Sequence, residues 1–201
     1  MKEETKEKVR LIKQAFRFRM NGVTAHSMRQ KGASYKLNWG ISLIDLREMA
    51  KEYGKDYDLA VELWKADVRE CKILATLIMP PQEMLPELAD LWMEETHEQE
   101  LAELAAFHLY QHLDDAPQRA YRWIAGNNEL EQISGYLILA RLFMRGLKPD
   151  QRGTNEYLDQ AQTALHHKSM AVRHAATTSL NKFAELGEEE EIAVAHLLKR
   201  L

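Results

Sequence analysis

Cysteine is nearly absent: one residue, Cys71, in 201. That excludes an internal disulfide and a zinc ribbon, and its apolar neighbours mark an inert core thiol. No apolar run approaches the roughly 18–20 residues needed to span a bilayer. The opening Met-Lys-Glu-Glu-Thr-Lys-Glu-Lys lacks the apolar segment of a signal peptide. A soluble, cytoplasmic protein with no membrane partner is expected. Glycine-rich phosphate loops, a nucleophile elbow, Cys-x-x-Cys and His-Glu-x-x-His are missing as well. No cofactor or metal is therefore expected. His108 and His112 have a chelating spacing, but without a further ligand in pattern, packing or surface roles suit them better.

Cations are missing from one long stretch. Between Ile73 and Gln118 there is no Lys or Arg, while Glu83, Glu87, Asp90, Glu94, Glu95, Glu98, Glu100, Glu103, Asp114 and Asp115 accumulate. From Lys2 to Lys55 the balance reverses, with 13 bases against six acids. Beneath a net charge of −4 lie a basic end and an acidic middle.

What is present is helical periodicity, with no strand-like alternation. A first helix is predicted from Glu3 to Met20, ended by Gly22. Asn21 to Ile41 is a long irregular stretch in which Thr24–Arg29 could form a short helix. Ser42-x-x-Asp45 reads as a capping box, Asp56 as the cap of the next helix, and Pro117 as a first-turn proline. Leu63 to Met79, stopped by Pro80-Pro81, is apolar on most of its circumference and should be sandwiched between neighbours. Arg69 and Lys72 within it need either carboxylate partners or an anion in an adjoining groove. Further helices are predicted through Leu85–Trp92, Leu101–Leu109, Tyr121–Ile124, Glu129–Arg145, Thr154–Leu165, Ser169–Glu185 and Glu188–Leu201. Pairs begin near Gln82, Pro117 and Thr154, a spacing of roughly 35 residues that marks stacked helical hairpins of HEAT or armadillo type.

On Leu46-Arg47-x-x-Ala50-Lys51, Leu63-Trp64-x4-Arg69-Glu70-x-Lys72, Phe107-His-Leu109-Tyr110, Trp123, Gly135-Tyr136-Leu-Ile-Leu-Ala140 and the Val172–Leu180 helix, the chain resembles the DNA alkylation repair family, the AlkD-like HEAT-repeat glycosylases. The resemblance covers roughly Ser42 to Glu185. It implies a concave basic surface holding duplex DNA that carries a cationic, N-alkylated purine. Aromatic walls would hold the lesion by cation–π attraction, a carboxylate would stabilise the developing oxocarbenium, and an Arg would grip phosphate. The family's Trp, Asp, Arg and second Trp positions fall here on Gln99, Glu103, Ile133 and Thr178. Of these, Glu103 alone keeps a carboxylate, and it is the candidate catalytic residue.

The expected architecture is an all-α, right-handed solenoid of HEAT-like helix pairs. One domain should span 1–201: a basic helix and loop over 1–41, repeats over 42–186 and a capping helix over 187–201. The expected function is binding of duplex or damaged DNA, alkylated and abasic duplexes included, through a basic solenoid surface, with glycosylase activity doubtful. The expected phosphate contacts are Arg17, Arg19, Arg29, Lys31, Lys36, Arg69, Lys72 and Arg173, with Tyr35 and Trp39 interleaved to stack or wedge. The rival reading is a non-enzymatic scaffold whose acidic repeats bind a basic protein. A third is an active alkylpurine glycosylase using Glu103.

Overall fold

The structure, a computed structural model, describes residues 3–199. Those residues form twelve α-helices and two 3-10 turns and no named strand. Two compact units divide the chain, Met1–Leu109 and Tyr110–Leu201.

The first unit contains α1 (Glu3–Arg19), α2 (Gly22–Gln30), α3 (Leu43–Tyr53), α4 (Tyr57–Trp64), α5 (Arg69–Ile78), α6 (Pro86–Glu94) and α7 (Gln99–His108). Local chemistry sets the starts. Ser42 and Asp56 accept the backbone N–H of Asp45 and Leu59 at 3.1 and 3.0 Å, which satisfies donors that a helix leaves unpaired. Helix α5 packs against α3, α4 and α7, and nine of its ten residues are buried. Its apolar circumference is thereby covered on several sides, as the sequence predicts. Trp64 of α4 and Trp92 of α6 stack at 4.1 Å with planes 2° apart, and the Trp64 indole N–H donates to Glu95 at 2.7 Å.

The second unit contains α8 (Ala116–Ile124), α9 (Glu129–Met144), α10 (Gln151–Leu165), α11 (Met170–Ala184) and α12 (Glu188–Leu198). Helix α9 lies between α8 and α11, and α10 and α12 both pack on α11. A Cβ at Gly135 would sit 2.9 Å from the carbonyl oxygen of Ala120, so this glycine lets α8 and α9 approach closely. Tyr157, Phe143 and Phe183 cluster in the core, and the buried Tyr157 hydroxyl donates to Ser179 at 2.9 Å. The last helix is predicted to reach Leu201. Arg200 and Leu201, and Lys2 of the basic end, lie outside the described residues. No helix among the described residues is long and apolar enough to cross a membrane.

Candidate nucleic-acid interface

The long stretch from Asn21 to Ile41 resolves into α2 and an extended strap over 34–41. Buried charge holds the strap. Glu70, with no exposed surface, accepts the backbone N–H groups of Trp39 and Ile41 at 3.1 and 3.2 Å. Asp67 accepts the N–H of Lys36 at 3.2 Å, and Leu37 pairs with Val68 in an isolated parallel bridge. The carbonyl of Trp39 accepts the N–H of Asn21 at 2.9 Å. At Gly40 the φ is +70°, and a Cβ would meet the Asn21 carbonyl oxygen at 2.3 Å. Only glycine permits this approach.

Pinning the strap sets Leu37 and Trp39 against α1. There Arg10, Lys13, Gln14 and Arg17 line a groove of about 360 Å³ with Leu37, Trp39 and Val68. Their spacing of three and four residues places the cations on one helix face. Arg10 is partly committed to Glu7, at 2.8 and 2.5 Å. Lys13 and Arg17 make no ion pair among the described residues. The groove thus combines free cations with an apolar wall, a pairing that suits a phosphate chain and the sugars or bases attached to it.

Of the cations expected to contact phosphate, Arg17 lies in this groove. Arg19, Arg29, Lys31 and Lys36 are exposed on α1, α2 and the strap, and make no ion pair among the described residues. Arg69 is a correction. It is 3 % exposed, and its Nε and Nη2 donate to both oxygens of Glu100 at 2.7 and 2.6 Å. Its Nη1 donates to the Ile41 carbonyl at 3.0 Å and to Glu70 at 3.1 Å. The guanidinium is spent inside the protein and offers phosphate nothing. Lys72 is also buried, with its ammonium 4.3 Å from the centre of the Trp64 ring. Burial pushes its pKa down, while Glu95 and Asp67 pull it up. In the second unit, Arg173 of α11 donates to the carbonyls of His167 and Lys168 in the loop between α10 and α11, so it ties that loop to its own helix.

The structure also places the four positions that the resemblance assigns to a glycosylase site. Glu103 is half-buried on α7, and Gln99 donates to it at 2.7 Å. The two side chains meet one turn apart along the same helix, at the positions where the resemblance would place an aromatic wall and a carboxylate. In the second unit, Ile133 is buried in α9 and Thr178 is half-buried on α11. His108 is engaged by Arg47 at 3.4 Å and Thr76 at 3.3 Å. No group of three His, Cys, Asp or Glu among the described residues could hold a metal ion.

Sequence reading passed over Lys13 and Gln14. The signal was present in the spacing Arg10, Lys13, Gln14, Arg17. It lacked an address, because nothing local indicates that residues 37–39 return to this face.

Comparisons with known proteins follow the same direction. The family described as DNA alkylation repair enzyme matches residues 12–194. A solved structure described as "A new family of proteins related to the HEAT-like repeat DNA glycosylases with affinity for branched DNA structures" covers 94% of this chain and 81% of its own, with a TM-score of 0.81 and 19% identity. That likeness establishes the fold as HEAT-like helical repeats. No curated protein matches the sequence significantly.

Proposed function

The chain belongs to the DNA alkylation repair enzyme family, and from that premise we propose that it binds DNA as a structure-selective protein, with no base excision at the family's usual positions. The groove of Lys13, Arg17 and Trp39 is the observation that carries this reading. Cations there contact the backbone without reading sequence, and the indole offers a surface to an unstacked base. Because such contacts recognise geometry, the preferred ligands are branched or distorted duplexes, the class for which the structural relative is described as having affinity. The Gln99–Glu103 pair supports binding over catalysis, since the carboxylate faces a hydrogen-bond donor in place of an aromatic wall.

Fluorescence anisotropy with a three-way junction, a linear duplex and an alkylated duplex, titrated across salt, tests this reading. The junction should bind tightest, with affinity falling steeply as salt rises, and no duplex should release a base. Absence of binding at low salt would contradict the reading and leave a protein-binding scaffold as the better account. Release of an alkylated base would restore Glu103 as a catalytic residue.

A further inference from the structure

Ser34 and Tyr35, at the other end of the strap, line a second cavity of about 420 Å³ with Trp64, Asp67, Lys72, Glu95 and Glu98. Its polar groups are incompletely matched. The Lys72 ammonium, in a side chain only 9 % exposed, touches the Trp64 ring but makes no hydrogen bond or ion pair among the described residues. The buried Tyr35 hydroxyl makes no hydrogen bond among the described residues. Each carboxylate has one oxygen engaged: Glu95 by the Trp64 indole, Glu98 by Ser34, and Asp67 by the backbone of Lys36. The second oxygen of each makes no hydrogen bond among the described residues.

A charged donor that makes no hydrogen bond within the protein can take a strong one from a ligand. The cavity therefore offers the Lys72 ammonium to an acceptor and, beside it, a carboxylate oxygen to an N–H. Three carboxylates disfavour a phosphate, and the Lys72 ammonium disfavours a cation. A neutral ligand with a carbonyl next to an N–H satisfies both sets. Guanine and thymine carry that lactam edge, and a cavity of this volume is large enough for a base with its sugar. Inside a paired duplex the edge is already used, so the base must be unpaired, as at a branch point. We propose that this cavity takes the lactam edge of an unpaired guanine or thymine. The proposal rests on the DNA-binding reading, because the strap that carries Tyr35 also carries Leu37 and Trp39 of the basic groove.

The experiment is saturation-transfer NMR on the full chain with guanosine and thymidine, against N1-methylguanosine and N3-methylthymidine, which lack the N–H. Transfer to the unmethylated pair is expected, and it should be lost on methylation. Affinity should weaken about tenfold or more in Lys72→Met, which removes a charged hydrogen-bond donor. A second arm compares junction or duplex DNA with and without one bulged thymine, and the bulge should tighten binding. Equal signals from methylated and unmethylated nucleosides, or none from any, would overturn the cavity proposal even where DNA still binds. Nucleoside binding without any DNA binding would sustain the cavity and overturn the DNA reading.

Discussion

Arg69 and Glu100 form a two-point ion pair, with Nε and Nη2 of the guanidinium 2.7 and 2.6 Å from the two carboxylate oxygens. Glu70 completes the arrangement from the neighbouring position, accepting from Arg69 and from two backbone groups of the strap. The charges at the start of α5 thus link α5, α7 and residues 39–41 before they do anything for a ligand.

Removing Glu70 should therefore be costly. Glu70→Ala leaves two strap N–H groups without their acceptor and takes a carboxylate from a guanidinium that is 3 % exposed. A loss of about 3–5 kcal/mol is expected in urea unfolding. Glu100→Gln retains an acceptor at a partly exposed site and should lose less, about 1–3 kcal/mol. Equal losses from the two would mean that the strap contacts contribute nothing.

The helices were largely legible because their signals are local. Ser42, Asp56 and Pro117 each stand where the sequence predicts, and the suggested Thr24–Arg29 helix is the centre of α2. The family resemblance and the HEAT-like fold are likewise borne out. The partners of the polar groups were not legible, because they lie one repeat away. Lys36 meets Asp67, Trp39 meets Glu70, Trp64 meets Glu95 and Arg69 meets Glu100, each across 31 residues. A spacing rule within one helix cannot find such a pair. The same limit explains Arg69, for which the sequence leaves a carboxylate partner and a groove anion both open and the packing supplies the carboxylate.

Gly40→Ala tests the strap from its backbone. The new Cβ would meet the Asn21 carbonyl oxygen, at a positive φ that alanine rarely adopts. Destabilisation above about 1 kcal/mol is expected, together with weaker DNA binding, because Trp39 is the adjacent residue. Unchanged thermal unfolding and unchanged affinity would show that the strap does not shape the groove.

Cys71 provides a pH signature. Burial pushes its thiol from 9.0 up to about 12, so the folded state keeps a proton that the unfolded state releases. Its contribution to stability is full below pH 9.0 and declines as pH rises towards about 12, at about 1.4 kcal/mol per pH unit. Cys71→Ala should flatten that part of the alkaline limb, although buried tyrosines add their own slope there. Native protein at pH 8 should not react with a thiol reagent, and unfolded protein should. Rapid labelling of the native protein would place the thiol outside the core.

The most direct test is the salt dependence of junction binding for the wild-type chain and for Lys13→Gln with Arg17→Gln. Both side chains are exposed and make no ion pair among the described residues, so stability should change by no more than about 0.5 kcal/mol. The slope of log K against log salt should become shallower by about 0.9 for each phosphate that the variant no longer neutralises, and affinity should drop at every salt concentration. An unchanged slope and affinity in a folded double variant would contradict the assignment of DNA binding to this groove.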